Sequence, residues 1–410
     1  MRGIAGIGML LTIAWLMSEN RRIVPWRIVL AGIGLQVAIA ILMIKAAPFR
    51  IVFMGLNRFV SAMEEATRAG TSFVFGYVGG ARPPFAELNP ANSFSLAFQA
   101  LPMVLVIGAL TSLLYYWRIL PKIVQGFSWV LRKSMGIGGA LGVGAAGNIF
   151  LGMVETPLLI RPYLKRMTRS ELFALMATGL SCIAGTILVV YATILQQAIP
   201  DALGHILTAS IIHAPAALVI AAIMIPETGQ QTLGGEIGAY AARGSMDALV
   251  KGTEDALNLL LNIVAVLIVF VALIKLLDIA LGYLPEVMGE ALTLERILGV
   301  LMAPVVWMIG VPWSDAGTAG SLMGVKIVLN ELIAYLQLAA LPPMALEIKS
   351  RLILTYAMCS FANFGSLGIL IGGMGALCPE RRDEIVAMGI KSLVAGVLAS
   401  MMTGAIVGVL

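Results

Sequence analysis

Apolar residues run through this chain in long stretches separated by short polar joints. Runs of about 18 or more apolar residues with few charges read as membrane-spanning helices. Eight stretches fit that description: Ile4–Met17, Ile28–Ile44, Ser95–Trp117, Leu172–Ile194, Ile206–Ile225, Ala256–Leu277, Leu352–Leu377 and Ile385–Leu410. Phe49–Asn92 follows another pattern, mixing apolar residues with Arg58, Glu64, Glu65 and Arg68 before turning rich in Gly and Pro at Val78–Pro84. This predicts an amphipathic helix in the membrane interface and then an external loop. Ala241–Leu257, where Ser245, Asp247, Lys251, Glu254 and Asp255 alternate with Met246, Leu249 and Val250, predicts a second surface helix leading into the next span.

Two apolar regions are interrupted where a plain span should not be, Gly136–Leu164 and Gly317–Leu336. Each carries an Asn and a Glu midway, and Pro157 closely follows Glu155. A carboxylate at the bilayer centre costs roughly 2.5–3.5 kcal/mol even on the mildest insertion scale, so it must face a cavity or a ligand. Backbone freed by such a break has to be satisfied by protein or by a water-lined site. Each region leads into a polar joint and a long helix, with middles reading Thr178–Leu188 and Cys359–Leu370. Paired interrupted segments in two halves of a chain mark the midplane site of a transporter.

Composition narrows the class. Of 410 residues, 60% are hydrophobic and 12% charged, with a mean hydropathy of +0.96, far outside the range of soluble domains. The net charge of +5 is no nucleic-acid signature, because the basic residues cluster in short loops: Arg21, Arg22 and Arg27; Arg118 and Lys122; Arg132 and Lys133; Arg161, Lys165, Arg166 and Arg169; Arg243 and Lys251; Arg381 and Arg382. The positive-inside rule places such loops in the cytoplasm. Met1 and Leu410 then lie outside, Glu19–Arg27 and Pro379–Asp383 lie inside, and the two interrupted units enter from opposite faces. Lys349 and Arg351 fall outside under this threading, against the rule. The first apolar segment lacks a convincing small-residue cleavage site and reads as a retained span. Cys182, Cys359 and Cys378 are odd in number and lack metal-ligand spacing, which suggests neither a disulfide framework nor a zinc site. His205 and His213 read as interfacial or packing residues at the outer end of a helical pair.

Some motifs read as structural. Gly142–Gly147 matches the G-x-G-x-x-G pattern, but it lies in an apolar hairpin without the strand the fingerprint requires, so close helix packing explains it better. Thr168–Glu171 has the form of a capping box. No HExxH, paired-aspartate or Ser/His arrangement occupies a membrane segment, and the chain reads as a non-enzyme. Glu155 and Glu331 are the candidate chemistry: carboxylates that accept hydrogen bonds from ligand hydroxyls or ring N–H groups. Asn363 and Ser366, one turn apart on the following helix, join them, and Phe361 borders the cluster. Such a set suits a neutral, polyhydroxylated ligand with a flat apolar portion. With no Arg or Lys at either hairpin tip, anionic ligands are disfavoured.

Asn148–Leu172, Gly320–Leu338 (GSLMGVKIVLNELIAYLQL) and Phe361–Arg382 (FANFGSLGILIGGMGALCPERR) resemble the first hairpin, the G-x-K-x3-N-E-F-V-A-Y signature and the last block of the concentrative nucleoside transporters. The likeness runs from about Ile4 to Leu410 and includes Ser18–Arg22. The resemblance implies an all-α integral membrane protein of about eight transmembrane helices, with two re-entrant hairpins in inverted repeats and interfacial amphipathic helices. It implies a homotrimer in the inner membrane, each protomer having a scaffold and a mobile transport part. The corresponding units are residues 1–125 (scaffold), 126–228 (first transport repeat), 229–290 (interfacial helix and scaffold span) and 291–410 (second transport repeat). By the same resemblance Glu155 faces the nucleobase, beside Met153, Val154 and Ile187. Glu331, Asn363 and Ser366 hold the ribose hydroxyls, and Phe361 borders the base. A sodium ion sits at positions matching the Asn148 side chain, the Leu151 carbonyl, Cys182 and the Ile183 carbonyl. Nucleoside import coupled to Na+ or H+ by an elevator-like movement follows, with no other cofactor. This sequence departs from the pattern where Met153-Val154 replaces a polar Gln-Thr or Gln-Ser pair, at Thr156, and where Cys182 replaces a serine. Those departures leave a second reading, the same fold carrying another hydroxylated metabolite or a nucleoside analogue. They also leave both Na+ and H+ as coupling ions, since sodium favours oxygen over sulfur.

Overall fold

The computed structural model describes residues 2–45, 47–85, 95–153, 155–196, 198–234, 242–287, 289 and 291–410. Its helices begin with α1 (Arg2–Leu16), α2 (Trp26–Lys45), α3 (Ala47–Phe75), α4 (Met103–Tyr116) and α5 (Ile119–Met135). The first hairpin unit is α6 (Gly139–Gly147), α7 (Glu155–Leu159) and α8 (Arg161–Leu164), followed by α9 (Arg169–Ser181), α10 (Gly185–Leu195) and α11 (Ala202–Met224). After α12 (Ser245–Leu281) and α13 (Leu294–Met308), the second unit runs α14 (Trp313–Val328), α15 (Glu331–Ala340), α16 (Ile348–Met358), α17 (Phe364–Leu377) and α18 (Arg382–Val409).

Charge pairing fixes one end of the molecule. Glu19, in the α1–α2 loop, accepts from Arg169 at the start of α9 and from Lys391 on α18. Arg169 also pairs with Glu384, Lys165 pairs with Glu380, and Arg381 donates to the carbonyls of Leu164 and Met167. Three of the joints predicted to share one membrane face, the α1–α2 loop and those around Arg169 and Arg381, are thus gathered together. At the opposite end, a Cβ on Gly3 of α1 would meet Val409 and Ala405 of α18, and one on Gly6 would meet the Met308 carbonyl. Asp315, in the first turn of α14, accepts there from the Glu347 amide and the Ser350 hydroxyl. The first hairpin therefore starts from the basic end and the second from the other, so the two units are inverted. Arg351 is buried and donates to the Pro342 carbonyl, so this outer charge serves as a hydrogen-bonded joint inside the protein rather than as a loop charge.

Four expectations change. Among the described residues six helices are long and apolar enough to span a membrane, because α1 has 15 residues and the Leu352–Leu377 stretch is cut between α16 and α17. Helix α12 is one continuous rod of 37 residues rather than a surface helix and then a span; no Pro interrupts it, and Gly252 serves close packing on α4. Helix α13, absent from the sequence reading, bends by 120° into α14. Its Thr293 hydroxyl caps the first turn, and Pro312 starts the next helix. His213 lies wholly buried within α11 rather than at an outer end, whereas His205 contacts the Tyr356 hydroxyl at 3.0 Å. The capping box appears as expected: Thr168 accepts from the Glu171 amide, and Glu171 also accepts from the amide and hydroxyl of Thr232.

The Arg169 guanidinium, more than any other group, holds the Glu19 carboxyl below its usual range, with Lys391 assisting against partial burial. A depressed folded-state pKa contributes stability above the unfolded carboxylate value of about 4.3 and loses it as pH falls through the folded value. The melting temperature of the wild type is expected to exceed that of Glu19→Gln at neutral pH, with the gap closing on acidification below about pH 4. A gap that widens toward acid would contradict this linkage.

Candidate functional site

Each half of the molecule places a glutamate at the first turn of a short helix behind a hairpin tip. Asn330 caps α15 by accepting from the Ile333 amide at 2.9 Å, which leaves Glu331 at the first helical position. The helix dipole favours a carboxylate there. Glu331 is 3% exposed. One of its oxygens accepts from the Tyr191 hydroxyl at 2.6 Å and the other from the Asn363 amide at 2.9 Å. Asn363 in turn caps α17, accepting from the Ser366 amide at 2.7 Å. A carboxylate offers about four acceptor directions, so two bonds orient Glu331 and leave lone pairs for a ligand.

The helix breaks explain how these groups converge. Residues 182–184 separate α9 from α10, and residues 359–363 separate α16 from α17; the sequence reading treated both as helix middles. Asn363 is therefore an N-cap rather than a residue one turn below Ser366 on a helix face. Lys326, fully buried on α14, donates to the Ser360 hydroxyl at 2.6 Å and the Ala362 carbonyl at 3.0 Å. Its ammonium satisfies the second unwound segment and points at protein groups. In the first half, the Gly185 amide donates to the Phe150 carbonyl at 3.0 Å, and a Cβ at Gly185 would sit 2.8 Å from that oxygen. Hairpin tip and unwound strand thus touch backbone to backbone.

Between the two tips lies a cavity of about 260 Å³. Met153, Glu155, Ile187, Glu331, Phe361, Asn363 and Ser366 all line it; Val154 lies outside the described residues. Both glutamates thus line one shared cavity, with Met153, Ile187 and Phe361 as apolar walls. Sequence reasoning missed Tyr191, Asn330, Thr186 and Asn262, which also line the cavity. Tyr191 was detectable in principle: a tyrosine inside an apolar run needs a partner for its hydroxyl, and it stands one turn beyond Ile187.

Of the expected ion positions, Asn148 and Cys182 lie in one neighbourhood. Asn148 donates to the Thr178 hydroxyl at 3.0 Å, one turn before Cys182, while its side-chain oxygen is buried without a partner among the described residues. Cys182 and Ile149 pack in one cluster. The Asn148 oxygen fits a hard cation. The Cys182 thiol instead donates to the Ser210 carbonyl at 3.7 Å, and sulfur is a poor sodium ligand.

Residues 205–408 match the family described as "Na+ dependent nucleoside transporter C-terminus", residues 5–78 its N-terminus, and residues 97–198 "Nucleoside recognition". Nucleoside permease NupC of Helicobacter pylori is 34% identical over 410 residues, covering 99% of this chain and 96% of the permease. The chain belongs to the concentrative nucleoside transporter family. Human solute carrier family 28 member 3 is 34% identical over 99% of this chain, which spans 59% of the human protein. A solved structure of CNTnw in an inward-facing substrate-bound state superposes with a TM-score of 0.91 at 33% identity, covering 99% of this chain and 96% of that one. A CNTnw variant in an outward-facing state gives 0.92 at the same identity and coverage. Membership in this family makes the protein an all-α, multi-pass membrane transporter rather than an enzyme.

Proposed function

We propose that the protein is a cation-coupled nucleoside symporter of the inner membrane. The observation that carries this reading is the oriented Glu331–Tyr191–Asn363 group sharing one cavity with Glu155 between oppositely inserted hairpins. Glu331, Asn363 and Ser366 form a cluster suited to vicinal hydroxyls, with Met153, Ile187 and Phe361 as a flat apolar slot for a base and Glu155 for its ring N–H groups. The apolar Met153 wall favours a second reading in which a nucleoside analogue or another hydroxylated metabolite is the ligand.

Transport proceeds by an elevator-like displacement of the two inverted repeats past a wall of α3, α4 and α12. Helices α1 and α2, grouped with the scaffold on sequence grounds, pack on α18 and α11 and are tied to α9 and α18 through Glu19, so they travel with the repeats. The exposed apolar residues of α12, among them Ile268, Val269, Leu273 and Leu276, meet lipid or the neighbouring copies of a homotrimer.

Sodium would be held at the Asn148 oxygen, with Cys182 weakening that site and a proton as the competing coupling ion. In proteoliposomes, uridine or adenosine is expected to accumulate under a sodium or proton gradient imposed independently. Replacing Cys182 by Ser adds an oxygen ligand and is expected to lower severalfold the sodium concentration giving half-maximal uptake. Failure to move any nucleoside under either gradient refutes the substrate assignment. A sodium dependence identical in Cys182→Ser moves the ion elsewhere.

A further inference from the structure

The ligand cavity is not closed by the hairpins alone. One wall belongs to α12, through Leu259, Asn262 and Ile263. A second cavity of about 520 Å³ adjoins it and shares Gly152, Glu155, Ala184, Thr186 and Leu259. It extends toward the basic end, where Arg161, Ser112 and Asp255 line it. Asp255, Leu259 and Asn262 are spaced by four and three residues, which places them on one face of α12 in successive turns. The rise from Asp255 to Asn262 is about 10 Å at 1.5 Å per residue.

The most apolar 18-residue stretch of α12 has the highest mean hydropathy among the long spans, 2.9, so an amide on its cavity face stands out, while Asp255 lies in the more polar part that precedes it. Asn258, another amide of the same span, lines neither cavity. The helix is also anchored. A Cβ on Gly252 would lie 2.5 Å from the Ser112 hydroxyl, and one on Gly108 would lie 2.5 Å from the Ala256 Cβ. Backbones that close make α4 and α12 a single wall.

We propose that α12 supplies a polar release track, with Asn262 contacting the bound nucleoside and Asp255 receiving it in the adjoining cavity. The inference rests on the nucleoside reading above. The two residues act at different steps. Asn262 touches the ligand while Glu331 and Asn363 still hold it, so it contributes to affinity and to the choice of base. Asp255 accepts hydroxyl hydrogens one ligand length further on, in the cavity that Arg161 also lines, so it governs how quickly the site empties. Because both belong to the wall, their contacts with the ligand change whenever the hairpins move past it, whereas those of Glu331 do not.

Uptake kinetics for uridine and adenosine in proteoliposomes test this with Asn262→Leu, Asp255→Ala and Asn258→Leu. Asn262→Leu is expected to raise KM about two- to tenfold, the worth of one neutral hydrogen bond, and to alter the uridine-to-adenosine ratio. Asp255→Ala is expected to lower kcat with KM changed less than twofold, and Asn258→Leu to match the wild type. Should a variant fail to fold, thiol labelling of Asn262→Cys and Asp255→Cys provides a second measurement, the native Cys182, Cys359 and Cys378 being buried. Both introduced thiols should react, and nucleoside should shield that at position 262. Asn262→Leu kinetics equal to those of Asn258→Leu, or an Asn262→Cys thiol unshielded by a transported nucleoside, overturn the track and leave nucleoside transport standing. A wild-type protein that carries no nucleoside overturns both.

Discussion

Replacing Glu331 by Gln is expected to reduce nucleoside uptake by at least tenfold and up to several hundredfold while leaving the protein folded. The substitution keeps side-chain volume but removes the charge and turns one acceptor oxygen into an NH2 donor. Tyr191 still finds an oxygen. The Asn363 amide, now 2.9 Å from where an acceptor used to be, faces another donor. A hydrogen bond to a charged group is worth about 1.5–3 kcal/mol, and each 1.4 kcal/mol is tenfold in binding. Loss of the bond to Asn363 and of one or two to ligand hydroxyls gives the stated range. Uptake together with equilibrium binding measures it, and a variant that binds and transports like the wild type would remove Glu331 from the site.

Asn363→Ala is expected to have a compound effect. Its side-chain oxygen caps α17 through the Ser366 amide while its NH2 group orients Glu331. Loss of an N-cap costs about 1 kcal/mol, and the bond to the carboxylate a further 1.5–3 kcal/mol. Alanine should therefore lower the melting temperature and abolish measurable uptake. Asn363→Asp separates the two roles, since aspartate is as good a cap but cannot supply the NH2 donor to Glu331. Uptake should be lost in both variants, and the capping contribution only in the alanine form. Uptake retained in Asn363→Asp would show that the bond to Glu331 is dispensable.

Much of this architecture is legible in the chain because bilayers punish buried charge. Glu155 and Glu331 stand out for that reason, and their hairpins with them. The inverted threading follows from where Arg and Lys collect, and the joints holding Glu19, Arg169 and Glu384 meet at one end as that rule requires. The breaks at 182–184 and 359–363 were harder to see. Cys182 and Ile183 look like ordinary span residues, and the partners that satisfy their neighbourhood, such as the Phe150 carbonyl for Gly185, come from distant parts of the chain. Helix α13 was hidden by its short length and its sharp bend. Tyr191 and Asn262 were invisible as site residues because hydropathy does not tell which face of a helix meets a cavity. Lys326 sat in the recognised signature, but its direction, toward Ser360 and Ala362 rather than the ligand, depends on a break that periodicity does not reveal.

Helix α6 is built from Gly, Ala, Val and Leu, all buried. A Cβ on Gly139 would strike the Gly234 carbonyl, one on Gly142 would meet Arg132, one on Gly144 Leu175, and one on Gly147 Thr156. Such a segment has few rotamers to freeze, so the arm of the first hairpin behaves as a bare slat, its tolerance to change set by volume rather than by polarity. A methyl group added at Gly139 would press on the Gly234 backbone and displace the start of the arm, whereas at Gly142 or Gly144 it would meet a long side chain that can give way.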